Sequence, residues 1–156
     1  MTRLLVFLIL AMLSACEAQS KLPKEMPADA VMSYTSGGGM VPTFFSAKVI
    51  GNKLTVTSRS PEDGHESSDE STLTGDEVKT LYQAFIDNKI DTLKPDQDIG
   101  VADGKSRTIE LKFGGSRYFA INGDGYDPPK GNGERFKKIE DAFGKIITAH
   151  KKSGVN

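Results

Sequence analysis

Tryptophan is missing from this 156-residue chain, cysteine occurs once and histidine twice. Each scarcity removes a class of protein. A single thiol closes no internal disulfide, so a disulfide-stapled scaffold is excluded. Histidine offers little for catalysis: His150 falls on an apolar helical stripe near a helix end, where a packing or capping role is expected. His65-Glu66-Ser67-Ser68-Asp69 starts like the zinc motif H-E-x-x-H but sets Asp where the second His belongs, in a stretch rich in Ser and acids. No basic excess exists either, because 20 Lys and Arg face 21 Asp and Glu, and nucleic acid is excluded as a partner. Long hydrophobic runs are absent too. The one sizeable run, residues 4–13, would make a helix of about 15 Å, half of a hydrocarbon core of about 30 Å, and cannot span a bilayer stably.

That short run has a different use. Arg3, the apolar stretch and the small residues after it have the layout of a secretory signal. Its end, Leu13-Ser14-Ala15-Cys16, closely resembles the lipobox of bacterial lipoproteins. The resemblance implies that residues 1–15 are removed and that Cys16 carries a thioether-linked diacylglycerol and an acylated amino group. Several acyl chains anchor stably where one gives only marginal residence. Glu17 stands where an Asp is the usual inner-membrane retention signal, which implies the outer membrane, facing the periplasm, in a Gram-negative cell. An unlipidated secreted chain cut after Ala18 is the alternative, and it leaves the lone cysteine without a purpose.

Without Arg3 and the rest of the leader, 19 Lys and Arg would face 21 acids over 141 residues, a size suited to one domain. Residues 17–29 are polar, include Pro23 and Pro27, and are expected to form a flexible tether between Cys16 and a domain over 30–156. Strands are expected over 30–36, 44–50 and 53–59. Gly51-Asn52 forms a two-residue turn that pairs Ile50 with Lys53, Val49 with Leu54 and Ala47 with Val56. A second hairpin joins 106–113 to 117–122. There a two-residue Gly114-Gly115 turn would set Glu110 against Phe119, so a three-residue loop with a bulge is expected, pairing Leu111 with Phe119 and Ile109 with Ile121.

Helices are expected after Thr74, where Thr74 and Glu77 form a capping box, and from about Gly133 to Lys151. Val78, Leu81, Tyr82 and Phe85 stripe the first, and Phe136, Ile139, Phe143 and Ile146 the second. The order βββαββα predicts an α+β domain: a mostly antiparallel sheet of about five strands with two helices on one face.

For function, the acidic stretch 61–71 is expected as a solvated, mobile loop. Asp96, Asp98 and Asp103 begin a weak calcium-loop pattern, which fails where Val101 replaces the turn glycine and Arg107 the final Glu. A calcium-responsive envelope protein is one alternative reading, and no other cofactor is suggested. No Gly-x-Ser-x-Gly elbow occurs, and Gly37-Gly38-Gly39 lacks the Lys of a phosphate loop, so a non-enzymatic binding module is expected. Gly38, Gly39, Met40, Val41 and Pro42 are the candidate contact with a partner from the envelope or the medium, being apolar where a plain connection would be polar. A strand ending in Ser36-Gly37-Gly38-Gly39, a helix, strands after Asp103 and a last helix resemble, in order over 31–147, the emfourin-type protein inhibitors of thermolysin-like metalloproteases. Protease inhibition is what that resemblance implies; the acidic stretch and the anchor depart from its pattern.

Overall fold

The computed structural model describes residues 20–39, 43–93, 104–123 and 131–151. In chain order these form β1 (Val31–Gly38), β2 (Thr43–Ile50), β3 (Lys53–Arg59), β4 (Glu66–Thr72), α1 (Gly75–Asp87), β5 (Lys105–Phe113), β6 (Ser116–Gly123) and α2 (Asn132–His150). A 3-10 turn, Ile90–Thr92, follows α1. One antiparallel sheet of six strands runs β4-β3-β2-β1-β5-β6, and with the two helices it makes an α+β fold.

Alternation along the strands decides which face is covered. Met32 of β1 stands opposite Val49 of β2 and Leu111 of β5, and Val49 stands opposite Leu54 of β3. All four are buried under the helices. From α1 come Val78, Leu81, Tyr82 and Phe85, and from α2 Phe136, Ile139, Phe143 and Ile146, the two stripes the sequence predicts. Phe143 sits between the layers, 6.0 Å from the Phe85 ring and 6.0 Å from the Tyr34 ring. On the other face the same alternation sets Ser33 and Thr35 of β1, Ser46 and Lys48 of β2, Thr55 and Thr57 of β3 and Thr108 of β5. A solvated antiparallel face tolerates such residues.

The first hairpin has the expected register, with Ile50 against Lys53, Val49 against Leu54 and Ala47 against Val56. The second does not. Leu111 pairs with Tyr118 and Glu110 with Phe119, across a two-residue turn in which Gly114 and Gly115 have φ of 53° and 75°. Two positive φ values are what a tight type I′ connection requires. Matching apolar bulk across the strands misled the sequence reading. The inward place opposite Ile109 is filled by the small Ala120, while Phe119 faces outward beneath the Arg117 guanidinium, 4.5 Å from its ring centroid. Tyr118 turns inward and stacks on Phe113 at 5.6 Å.

Two further expectations are corrected. Most of the stretch 61–71 is not a mobile loop: residues from Glu66 onward form β4, the sixth strand. An edge strand with solvent around it needs no apolar side chains, and here charge and hydroxyl pairs with β3 add to the backbone ladder. Lys53 meets Glu70 at 2.6 Å, Arg59 meets Glu66 at 3.3 Å, and the Ser58 and Ser67 hydroxyls lie 2.9 Å apart.

The segment 20–30 is likewise not a free tether but a strap bound to the domain. Ser20 Oγ donates to Asp91 Oδ1 at 3.0 Å, and the Lys21 backbone N–H donates to Asp91 Oδ2 at 2.6 Å. Leu22 is 8% exposed within the core, and Met26 packs against it. Tyr82 Oη donates to the Pro23 carbonyl at 2.9 Å, and Asp29 Oδ2 accepts the Gly114 N–H at 2.7 Å. The polar composition hid two apolar residues spaced to reach the core.

Candidate functional site

β1 ends abruptly. Gly38 and Gly39 have φ of 95° and 93°, a region that residues with a Cβ avoid. A Cβ on Gly38 would stand 2.6 Å from the Gly104 carbonyl oxygen, so only glycine lets the end of β1 lie against the entry to β5. Thr43 Oγ1 donates to the Gly38 carbonyl at 3.4 Å, and β2 begins there. Gly38 and Gly39 of the expected contact tip thus open the connection, while Met40, Val41 and Pro42 lie outside the described residues. Next to the tip, Phe44 is 37% exposed on the open face, in register with Gly37 and Arg59. Phe45 turns the other way and meets the Tyr34 ring at 6.1 Å. An aromatic ring partly in solvent beside a glycine-bent tip can take a partner side chain at little conformational cost.

Sequence reasoning missed a groove of about 680 Å³ between α1 and α2. Leu81, Ala84, Ala142 and Ile146 contribute its apolar side, with Asp87 and Lys145 also among its walls. Ala84 and Ala142, beside the two apolar stripes, were its only sequence signal, since small side chains leave a trough between packed helices.

At one end of the helix pair, His150 Nε2 lies 2.8 Å from Glu77 Oε1. Glu77 also accepts the Thr74 backbone N–H at 2.7 Å while Thr74 Oγ1 accepts the Glu77 N–H at 3.2 Å, which completes the expected capping box. The Thr74 N–H first, then His150 and the Thr74 hydroxyl, hold the Glu77 carboxyl down to about 2 from its ordinary 4.5. Ser71 Oγ adds a 3.5 Å bond to the His150 carbonyl. His150 therefore ties the end of α2 to the start of α1 and to β4, which is the structural role its sequence position suggests.

At the opposite end Arg135 closes α1. Its Nε donates to the Asn88 carbonyl at 2.8 Å and its Nη2 to the Lys89 carbonyl at 2.6 Å and to Thr92 Oγ1 at 2.7 Å. Carbonyls at a helix C-terminus have no partner within the helix, and a guanidinium suits both their geometry and the dipole. Lys89, with φ of 47°, makes the left-handed turn that glycine usually supplies.

Charge also sorts across the sheet. Residues 53–72, which carry β3 and β4, hold five Asp or Glu against Lys53 and Arg59. Residues 105–123, which carry β5 and β6, hold Lys105, Arg107, Lys112 and Arg117 against Glu110 alone. Glu110 meets Lys112 at 2.7 Å and is also hydrogen-bonded by Arg117. Burial works against its ionisation, but the Lys112 and Arg117 bonds prevail and hold its carboxyl below the ordinary value.

Cys16 and the acids Asp96, Asp98 and Asp103 lie outside the described residues. Among the described residues no three His, Cys, Asp or Glu side chains converge as a metal group, and no helix is long and apolar enough to cross a membrane. The chain matches no family model and no curated protein.

Proposed function

We propose that the chain is an acylated lipoprotein of the bacterial envelope, with Cys16 as the lipidated residue and the α+β domain as a non-enzymatic binding module. The observation that carries this is Leu13-Ser14-Ala15-Cys16, a lipobox-like ending to an apolar run too short to span a bilayer and holding the sole cysteine. In a Gram-negative cell the residue after the cysteine, Glu17, favours the outer membrane and a periplasm-facing domain.

Binding is assigned to the β1–β2 tip, where Gly38 and Gly39 bend the chain, residues 40–42 are apolar in sequence and Phe44 is exposed beside them. The partner is an envelope or secreted protein with an apolar surface.

Mass spectrometry of the mature product tests the anchor. A protein that begins at Cys16 and carries a diacylglyceryl thioether and an amide-linked acyl chain is expected; an uncut chain or a bare thiol overturns it. Crosslinking in the native envelope tests the tip. Met40→Ser with Val41→Ser should abolish the adducts of the unaltered protein, and identical adducts would refute binding through this tip.

A further inference from the structure

The bound strap shortens the connection to the membrane. A free chain over 17–30 would reach about 50 Å when extended, whereas the link from Cys16 to Ser20, the first of the described residues and one bonded to the domain, reaches about 14 Å at most. Ser20 is fixed to Asp91 in the 3-10 turn, and that turn packs against β6, one edge of the sheet. The other edge, β4, lies five strand spacings away, about 24 Å. The leash is therefore shorter than the domain is wide.

Charge points the same way, independently of the leash. The β5–β6 hairpin sets four cations against Glu110 and against Glu140 of α2, which pairs with Arg107, and so is basic by two, whereas the β3–β4 hairpin, with two cations against five acids, is acidic by three. The strap itself is balanced, with Lys21 and Lys24 against Glu25 and Asp29. A bilayer containing anionic phospholipid attracts basic side chains held within a Debye length of it, about 8 Å at physiological salt, and repels acidic ones.

We propose that the β5–β6 edge of the domain rests on an anionic phospholipid surface, with the acidic β4 edge turned away. This rests on the lipid anchor at Cys16. The tip and the helix groove are then displayed by a domain of fixed orientation rather than by one that tumbles on a long tether.

The test uses the mature lipidated chain in vesicles of phosphatidylcholine with about one-third phosphatidylglycerol. Acylated Cys16 is inert to thiol reagents, so Ser116→Cys on β6 or Ser68→Cys on β4 gives a single labelling site. Energy transfer to a headgroup-labelled lipid should be at least about twofold greater from position 116 than from 68, and the difference should shrink in pure phosphatidylcholine or at about 0.5 M NaCl. Equal transfer from both sites on a chain with one dye overturns the orientation and leaves the anchor standing. A difference unchanged by lipid charge and salt overturns the anionic-lipid part. A second dye per chain, on a bare Cys16, overturns both the anchor and the orientation.

Discussion

The Tyr34 phenol on β1 donates a 2.9 Å hydrogen bond to Glu140 Oε1 on α2, so the central strand and the covering helix are joined by a polar contact at the rim of the core. Arg107 of β5 completes it, with Nη1 at 3.1 Å from both oxygens of the same carboxylate. The Tyr34 ring also touches Phe45 and Phe143, so one side chain belongs to the apolar core and to the ionic network.

This position makes the fold sensitive to alkali. Burial first, and then the bond to Glu140, push the Tyr34 phenol from 10.0 up to about 12. An acid harder to ionise when folded stabilises the fold fully below the unfolded value and loses that contribution as pH rises through the folded one. Urea midpoints should therefore fall between pH 10 and 12. Tyr34→Phe should flatten that part of the profile, and a slope of the same steepness in the variant would refute the assignment.

Glu77 gives the opposite sign at the acid end. Its carboxyl is held down to about 2 from 4.5, so its contribution is complete above 4.5 and lost as pH falls toward 2. Glu77→Gln should remove that part of the acid sensitivity. Thr74→Ala should cost about 1 kcal/mol at neutral pH through loss of the cap, read from urea unfolding.

Arg135 is the test of the α1 terminus. Arg135→Ala removes donors from the Asn88 and Lys89 carbonyls and from Thr92 Oγ1 and should cost about 2–3 kcal/mol. Arg135→Lys should recover only part of this, because an ammonium cannot reproduce the planar fork. Equal stability of the two variants would show that charge alone matters there.

Features with a local cause were legible in the sequence: the Thr74–Glu77 capping box, the Gly51-Asn52 turn, and the stripes headed by Val78 and Phe136. What escaped depends on partners distant in the chain. β4 lacks apolar residues, and its pairing with β3, through the backbone ladder and the Lys53–Glu70 and Arg59–Glu66 ion pairs, is not written in its own composition. The register of β6 follows from the need for a small residue, Ala120, under the helices, which apolar matching between two strands does not contain. Leu22 and Met26 were masked by polar neighbours, since a strap has no periodicity of its own. At the site, the glycines of the tip were visible as breakers, whereas the helix groove, lined by Ala84 and Ala142, emerges only when α1 and α2 pack together.

The strap is open to direct measurement because Lys21 and Lys24, both exposed, provide trypsin sites inside it. Cleavage there requires the segment to lift from the domain, so its rate reports the local opening equilibrium when reclosing is fast. Leu22, at 8% exposure, supplies much of the hold, and burying such a side chain contributes about 1.5–3 kcal/mol. Leu22→Ser should therefore raise the rate of cleavage at Lys21 and Lys24 by about 10- to 100-fold. Asp91→Ala, which removes the acceptor for Ser20 and for the Lys21 N–H, should raise it less, because those bonds lie partly in solvent. The unfolding midpoint of the rest of the domain should move far less than the cleavage rate, since most of the core is independent of the strap. Cleavage as fast in the unaltered chain as in Leu22→Ser would mean that the segment is a free tether after all, and the orientation argued from its attachment would fall with it.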